Sequence, residues 1–232
     1  MGKQIIRTEE VEKTYHDNGI PLHALYPLNV IFEIGEFTVI AGPSGSGKTT
    51  LLNLIGALDT PSGGEVYFDG KPITPLSGKE RANLRLKQFG FIFQAYNLIP
   101  VLNALENIEF VLTLQDVPER ERHQRSMEVM KDLGIETLAH KRPNQMSGGQ
   151  QQRVAIGRAI VTQPLIVLAD EPTANLDSAT GASLLDLMEH MNTEHGITCI
   201  FSSHDPQVIQ RGRRIIRLKD GRIDSDERRT TS

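Results

Sequence analysis

One glycine-rich segment constrains the fold of this chain more than any other. Residues 42–49 match the pattern of a glycine, any four residues, then glycine, lysine and a hydroxyl residue. The apolar residues 37–41 before it predict a buried strand, and residues 51–58 after it have the apolar spacing of an amphipathic helix. The glycines let the backbone turn and present N–H groups to an anion where that helix begins. The segment therefore predicts a phosphate-binding P-loop rather than an ordinary turn.

Two side chains of this loop have the chemistry that nucleotide phosphates require. Lys48 is a mobile cation that can reach the β- and γ-phosphates. The hydroxyl of Thr49 is suited to a magnesium ion that bridges those phosphates. We expect a nucleotide-binding protein, and the rest of the chain must decide which kind.

Composition narrows the class of protein. The chain has 232 residues, enough for one domain with a smaller subdomain, and we expect that domain to span residues 1–232. It contains no apolar run of about 18 residues and no signal-peptide layout at its start, which predicts a cytoplasmic protein. The net charge of −4 argues against nucleic-acid binding by general electrostatics. The single cysteine, Cys199, lies in an apolar run and is expected to be a buried thiol.

The segment before the P-loop predicts two strands. Residues 5–11 and 28–34 have strand character, and a polar loop at residues 16–19 lies between them. Tyr15 stands just ahead of that loop. Its ring could stack on a nucleotide base or could simply fill space against the sheet.

The middle of the chain changes from strand to helix. Residues 89–93 predict a compact strand that ends at Gln94, either a satisfied polar group or a residue that touches a metal or a water. Residues 102–139 have helical periodicity with breaks near Pro118 and at Gly134, which predicts a helical insert. Its charge clusters are expected to be solvated helix faces.

Two further motifs follow the insert. The sequence Ser147-Gly148-Gly149 opens a helix, where it could be a second anion site or an ordinary helix cap. Residues 165–169 are fully apolar, as in a central parallel strand, and end at Asp170 and Glu171. Carboxylates at the end of a buried strand are where open α/β sheets place ligand chemistry. The alternative is an acidic pair that caps a helix.

The last third of the chain predicts one more strand of this kind. Residues 197–201 form an apolar run that is followed by His204, so this histidine lies at a strand end like Gln94 and Glu171. A lone histidine is usually structural, but three polar residues at three strand ends predict a shared site. Residues 225–232 have almost no apolar side chains, and we predict a mobile tail there.

Taken together, these motifs resemble those of the ATP-binding cassette (ABC) ATPases, and the resemblance covers nearly the whole chain. The discriminating motif is the signature Ser147-Gly148-Gly149-Gln150, which other P-loop enzymes do not carry. An Asn-Lys-x-Asp guanine-reading motif is absent from the sequence, which disfavours a GTPase. The resemblance implies an α/β P-loop NTPase fold with a RecA-like core, an N-terminal antiparallel β-subdomain and a helical subdomain at about residues 95–162.

The resemblance also implies a role for each motif residue. Tyr15 would stack on the adenine of ATP. Glu171 would act as general base or orient the attacking water, and His204 would stabilise charge on the γ-phosphate, a matter of positioning and electrostatics. The implied catalytic set is Glu171, His204, Lys48 and Gln94. The implied Mg²⁺ ligands are Thr49, Gln94 and Asp170. The implied phosphate-binding residues are Gly42, Pro43, Ser44, Gly45, Ser46, Gly47, Lys48, Thr49 and Thr50.

By the same resemblance, two copies of the chain would sandwich two ATP molecules. The signature residues Ser147, Gly148, Gly149 and Gln150 would close over the ATP of the other copy. Asp177 would communicate across that interface. Hydrolysis would then release the two copies.

Residues 91–100, 106–108 and 143–145 look like those of the lipoprotein-releasing and macrolide-exporter group. That resemblance implies a transmembrane permease subunit as partner, a peripheral location at the cytoplasmic face of the inner or plasma membrane, and no nucleic-acid partner. Alternatives are an importer ATPase, a soluble ATPase of the same superfamily in DNA repair or translation, and a nucleotide-binding module without turnover. The soluble ATPases usually carry long coiled coils or two cassettes, and this chain has neither.

Overall fold

The structure, a computed structural model, describes residues 2–17 and 19–229. The strands are β1 (Gln4–Asp17), β2 (Ile20–Glu33), β3 (Phe37–Ala41), β4 (Gly63–Phe68), β5 (Lys71–Pro72), β6 (Phe89–Ile92), β7 (Ile166–Asp170), β8 (Thr198–Ser203), β9 (Arg214–Lys219) and β10 (Arg222–Arg228). The helices are α1 (Lys48–Ile55), α2 (Gly78–Gln88), α3 (Ala104–Leu114), α4 (Glu119–Asp132), α5 (Gly148–Ile160), α6 (Ser178–His195) and α7 (Pro206–Arg211).

The strands of this described part form two sheets. One is a four-stranded antiparallel sheet in the order β2-β1-β4-β5. The other is six-stranded, in the order β10-β9-β3-β8-β7-β6, and its members from β9 to β6 are parallel. The antiparallel strand β10 forms its edge.

The central strands are apolar because the six-stranded sheet is covered on both faces. All five residues of β3 are buried. Within β3, the adjacent residues Val39 and Ile40 point to opposite faces of the sheet. Val39 lies in a core with α3 to α6, and Ile40 lies in a core with α1 and the antiparallel sheet. The sheet is therefore the middle layer of the fold.

Parallel pairing brings the carboxyl ends of β3, β7 and β8 to one edge. Ala41, the last residue of β3, pairs with Ser203 at the end of β8. Asp170, the last residue of β7, pairs with Ser202. The P-loop, the two carboxylates and the segment that carries His204 therefore start from the same edge of the sheet.

The helical insert lies between β6 and β7, and the predicted breaks are confirmed. Helix α3 ends at Leu114 before α4 begins at Glu119, and α4 ends at Asp132 before Gly134. A capping box between Asn103 and Glu106 starts α3. Among the residues that the structure describes, no helix has both the length and the apolarity to cross a bilayer.

The structure corrects two predictions at the surface. The first two strands extend to Asp17 and from Ile20, so the loop between them is shorter than residues 16–19, and Asn18 lies outside the described residues. The predicted mobile tail is wrong up to Arg228, because β10 pairs with β9. Ile223 packs against the core, and ion pairs from Arg228 to Glu33 and Glu36 hold the polar end of this strand. Residues 230–232 lie outside the described part.

Candidate functional site

The P-loop needs glycine at the point where it enters α1. Gly47 is the N-cap of α1 and has a φ of +99°, a conformation that other residues rarely adopt. A Cβ atom there would lie 2.6 Å from Cδ2 of Leu25. Residues 43–45 at the tip of the loop are exposed. The loop is therefore packed at its base and open at its tip, where an anion can approach.

The side chain of Lys48 lies inside the P-loop. Its relative exposure is 6%. Its Nζ donates to the carbonyl oxygens of Gly42 at 2.8 Å and Pro43 at 2.9 Å. The loop therefore holds a positive charge at its centre before any anion binds.

Thr49 and Asp170 join the P-loop to the end of β7. The Thr49 hydroxyl lies 3.0 Å and 3.1 Å from the two carboxylate oxygens of Asp170. The hydroxyl of Ser202 donates to the same carboxylate. Hydroxyl and carboxylate oxygens are the ligands that Mg²⁺ prefers. The donor set at this point therefore fits a magnesium ion.

Glu171 follows in a strained backbone conformation. Its φ is +47°, in the left-handed region, and its N–H donates to the carbonyl of Ser202 at 2.9 Å. The turn aims its side chain at the end of β8, where Ser203 Oγ donates to Oε2 at 2.9 Å. Oε1 lies 2.7 Å from Nδ1 of His204. The Glu171 side chain is 14% exposed and that of His204 66%, so the pair reaches from the sheet edge to solvent.

The Ser203 hydroxyl has a fixed orientation. It accepts a hydrogen bond from the backbone N–H of Asp205 at 3.0 Å, so its own proton is directed to Glu171. Ser202 and Ser203 are not among the site residues predicted from the sequence. The available signal was two hydroxyl residues after an apolar run, in the strand that was expected to end beside Asp170 and Glu171.

We call Lys48, Thr49, Asp170, Glu171 and His204 the nucleotide cluster. The structure brings these five predicted residues together. Gln94 follows β6 and is exposed, and its backbone carbonyl accepts a hydrogen bond from Asn175 at 2.8 Å. Thr49 and Asp170 meet directly, without Gln94. The contact of Gln94 with a metal ion stays a prediction.

Tyr15 is partly buried near the end of β1. Its hydroxyl donates to Oδ2 of Asp59 at 2.9 Å. Burial raises the pKa of Tyr15, and the neighbouring Asp59 carboxylate raises it further. The hydrogen bond fixes one end of the ring, and stacking on a base stays a prediction.

The signature residues lie at a second place, at the start of α5. Ser147 is the N-cap: its Oγ accepts from the N–H of Gln150 at 3.3 Å, and its own N–H donates to Oε1 of Gln150 at 3.0 Å. The helix-cap interpretation is therefore confirmed within this chain. An anion site at this helix remains a prediction.

Asp177 caps the next helix, α6, in the same way. Its Oδ1 accepts from the N–H groups of Ala179 at 3.1 Å and Thr180 at 3.0 Å. Hydrogen bonds from the Thr180 hydroxyl and from these N–H groups hold the pKa of Asp177 below its usual value. Residues 147–150 and 175–177 line an open groove of about 510 Å³ with Arg153 and Thr180. We call this the signature groove.

Comparison with known proteins identifies the family. The model of a family described as "ABC transporter" matches residues 25–174, more than half of the chain. The chain belongs to the ABC transporter family. The membership that the sequence motifs predicted is confirmed.

Similar proteins occur in bacteria and archaea. An ABC transporter ATP-binding protein of Thermotoga maritima is 42% identical over 98% of this chain and 97% of its own length. The ABC transporter ATP-binding protein MJ0796 of Methanocaldococcus jannaschii is 45% identical over 97% of both chains. The macrolide export ATP-binding/permease protein MacB of Brucella melitensis is 42% identical over 97% of this chain, which covers 35% of MacB. This chain thus spans about a third of the length of that exporter.

Solved structures confirm the fold and the activity class. The dimeric structure of MJ0796 superposes with a TM-score of 0.91 and 44% identity, and covers 98% of this chain and 100% of that one. A second MJ0796 structure, a post-hydrolysis state bound to ADP and Pi, has a TM-score of 0.91 and 43% identity over the same shares of the two chains. This chain therefore has the ABC ATPase fold and is an ATP-binding ATPase of the ABC transporter family.

Proposed function

We propose that two copies of this chain close around ATP and hydrolyse it between them, and that this ATP-driven closure drives a transmembrane permease of the lipoprotein-release or macrolide-efflux type. The observation that carries the proposal is the nucleotide cluster. In it, Thr49 contacts the carboxylate of Asp170, and Glu171 contacts His204. A P-loop, an oxygen donor pair and a carboxylate–histidine pair at one sheet edge are what phosphoryl transfer to water requires.

The P-loop backbone and Lys48 hold the phosphates. Lys48 exchanges the carbonyl oxygens of Gly42 and Pro43 for phosphate oxygens, which are stronger partners because they are charged. The backbone N–H groups up to Thr50 surround the phosphates at the start of α1. Tyr15 supplies a ring on which the adenine stacks.

Thr49 and Asp170 would hold a magnesium ion, with the amide oxygen of Gln94 as a further ligand. Their oxygens already lie within 3.1 Å of each other, so the two protein ligands need little rearrangement. When bound, Mg²⁺ neutralises charge on the phosphoryl oxygens. Ser202, which donates to Asp170, fixes the orientation of that carboxylate.

Glu171 orients the attacking water and accepts its proton. Ser203 holds one carboxylate oxygen and His204 the other, so the carboxylate cannot rotate away from the water. A positioned base of this kind contributes about 10²–10⁴-fold to the rate. His204, which is exposed, stabilises charge on the γ-phosphate.

The second copy supplies the signature groove. In this chain the residues of the groove hydrogen-bond mainly within their own helices, and the groove is open. The ATP-bound P-loop of another copy fits a site of this character, with Asp177 at the contact between the copies. The contact is the same for both chains, as in a two-fold dimer. The dimeric structure of the relative MJ0796 supports this arrangement.

The permease docks on a different groove, an open and mainly apolar one of about 620 Å³ between α2, α3 and α5. Phe91, Phe93 and Leu114 line it, and an amphipathic helix of the permease would fill it. Arg158 on its wall donates to the carbonyl oxygens of Tyr96 and Asn97, which follow Gln94. Residues 95–162 would then act as a helical subdomain that passes movement between the nucleotide and the permease.

The names of similar proteins support the export assignment. MacB is a macrolide export ATP-binding/permease protein, and the Pseudomonas aeruginosa relative PvdT is a pyoverdine export ATP-binding/permease protein that is 42% identical over 96% of this chain. In each of these proteins, ATP-binding and permease parts share one chain. We place this chain peripherally at the cytoplasmic face of the inner or plasma membrane, against such a permease.

The test is to trap the complex in its native host. A tagged Glu171→Gln protein is loaded with ATP, the membranes are solubilised, and co-purifying proteins are identified by mass spectrometry. We expect a permease with few transmembrane helices and a large extracytoplasmic domain, and no recovery with a Lys48→Ala control. A many-helix importer permease would refute the export assignment. Ribosomal or DNA-repair proteins would refute transport altogether.

A further inference from the structure

A carboxylate far along the chain holds the ring of Tyr15. The Tyr15 hydroxyl donates to Oδ2 of Asp59 at 2.9 Å, across 44 residues of sequence. Lys13, on the same face of β1, donates to Oδ1 of Asp59 at 2.8 Å. Its Nζ also lies 4.8 Å from the centre of the Tyr15 ring. The three side chains form a closed network that we call the Asp59 network.

The Asp59 network is attached to the helix of the P-loop. The N–H of Asp59 donates to the carbonyl of Asn53 in α1 at 3.2 Å, and its Oδ1 accepts from the N–H of Thr60 at 2.7 Å. Lys13 donates to the carbonyl of Thr60 at 2.7 Å. The carboxylate is therefore fixed relative to the element that begins at the phosphates.

Asp59 carries its charge at neutral pH. Burial acts to raise its pKa, but hydrogen bonds from Lys13, Thr60 N–H and Tyr15 outweigh burial and hold the pKa below the usual value. Hydrogen bonds to an ionised acceptor are shorter and stronger than those between neutral groups. The network is thus a charge-assisted anchor for a tyrosine that stays partly exposed.

The backbone alone does not fix the Tyr15 ring. The pairing of β1 with β2 is irregular here, with register shifts on both sides of Lys13. A side chain on an irregular strand near a hairpin end is mobile unless something holds it. A mobile ring would have to be ordered each time a base stacks on it, which weakens binding.

We propose that Asp59 is a positioning residue that, together with Lys13, holds the Tyr15 ring as a preformed platform for the base of a purine nucleoside triphosphate. The inference rests on the proposed role of Tyr15. It goes beyond that role because Asp59 and Lys13, which contact neither base nor phosphate, would favour ligands that carry a base over those that do not. The effect is a contribution to ATP affinity of about three- to tenfold.

The experiment compares two ligands that differ in the base. Affinities for ATP and for inorganic triphosphate, which has phosphates but no base, are measured by calorimetry in a Glu171→Gln background. Asp59→Ala, Lys13→Met and Tyr15→Phe should each weaken ATP binding about three- to tenfold and leave triphosphate binding unchanged. The Tyr15→Phe/Asp59→Ala double variant should bind ATP no more weakly than whichever single variant has the lower ATP affinity. With Glu171 intact, Asp59→Ala should raise KM for ATP without lowering kcat.

The control is Asp69→Ala, which removes an ion pair of the same length, 2.8 Å, between Lys3 and Asp69 away from Tyr15. Its ATP affinity should not change. Equal losses for ATP and triphosphate, additive single effects, or unchanged ATP affinity in Asp59→Ala and Tyr15→Phe would overturn the inference. If Asp59→Ala does not fold, Tyr15→Phe and Lys13→Met decide.

Tyr15→Ala separates the inference from the function on which it rests. Weaker ATP binding in Tyr15→Ala together with unchanged binding in Tyr15→Phe and Asp59→Ala would refute the role of Asp59 as an anchor but keep the stacking of the base on Tyr15. Unchanged ATP binding in Tyr15→Ala would refute the platform itself, and the anchor with it.

Discussion

The nucleotide cluster and the signature groove use polar side chains in opposite ways. In the nucleotide cluster the hydrogen bonds cross between elements, from Thr49 to Asp170 and from Ser203 to Glu171. In the signature groove the hydrogen bonds of the two helix caps stay within one element, from Ser147 to Gln150 and from Asp177 to Thr180. Asn175 and Arg153, at the wall of the groove, also bond to other elements. One region is assembled by the fold of a single chain. The other consists of two capped helix ends that face an open groove.

This difference indicates where a second chain is needed. A cluster whose side chains already orient each other can bind nucleotide within one copy. A groove whose capping side chains bond within their own helices is preformed, and none of the residues that the structure describes fills it. ATP binding and ATP hydrolysis should therefore be separable. Changes in the nucleotide cluster should affect hydrolysis directly, and changes in the signature groove should affect it through association of two copies.

The largest effect is expected for Glu171→Gln in the nucleotide cluster. Glutamine can still accept the hydrogen bond from Ser203 but is not a base, so ATP turnover should fall by about 10²-fold or more while ATP binding persists. Steady-state phosphate release measures turnover, and calorimetry measures binding. Glu119→Gln, an exposed change on α4, is the control and should not alter either. Turnover within twofold of the unchanged protein would remove Glu171 from the mechanism.

A change in the signature groove should also abolish turnover, but by another route. A Cβ atom on Gly149 would lie 2.5 Å from Cγ2 of Thr180, so Gly149→Ala pushes α5 away from α6. A misplacement of about 1 Å can cost about 10²-fold in rate. ATP binding to the single chain should persist. Gly78→Ala, which places its Cβ in open space at the start of α2, is the matched control. Weaker ATP binding in Gly149→Ala would show that the signature groove also contributes to nucleotide binding within one copy, which contradicts the distinction between the two regions.

Ser202 should set the affinity of the nucleotide cluster for its metal. Ser202→Thr and Ser202→Val add a similar bulk at a fully buried position, but only threonine keeps the hydroxyl that donates to Asp170. We expect Ser202→Val to weaken Mn²⁺ binding about tenfold relative to Ser202→Thr, since partners of metal ligands contribute to this extent. Electron paramagnetic resonance with ATP in the Glu171→Gln background measures it. Equal affinities would show that the hydroxyl is only structural.

The smallest effect concerns the Asp177 cap and its pH dependence. Its hydrogen bonds lower the pKa from the ordinary 3.8, so the stabilisation by the carboxylate is fully present above that pH and is lost as the pH falls through the folded-state pKa. Asp177→Asn should therefore lower the unfolding temperature slightly at about pH 7 and by less near about pH 3, where part of the stabilisation is already lost. Calorimetric scans at both pH values test this. A difference that is the same at both would mean that charge does not contribute to the cap.

What the sequence predicted well is local. The strand, loop and helix around Lys48 follow from glycine positions and apolar spacing within about 20 residues. The carboxylates of Asp170 and Glu171 follow from the apolar run directly before them. Helix α7 is different, because its six residues are too few for a periodic pattern to show.

What the sequence could not predict depends on pairing between distant segments. Ser202 and Asp170 are 32 residues apart, and their contact exists only because β7 and β8 pair in one register. The contact between Tyr15 and Asp59 spans 44 residues and joins the end of β1 to the loop that follows α1. Strand β10 was missed because its exposed residues lack the apolar alternation of a strand, and ion pairs such as that of Arg228 with Glu36 hold it.

The most direct test of the central claim, that the signature groove completes the site of another copy, is the mass of the Glu171→Gln protein in sedimentation equilibrium with ATP and Mg²⁺. We expect a dimer with ATP, a monomer without it, and a monomer with ATP when Ser147→Arg is added to fill the groove. If the Glu171→Gln protein binds ATP and remains a monomer, the signature groove does not complete the site of another copy.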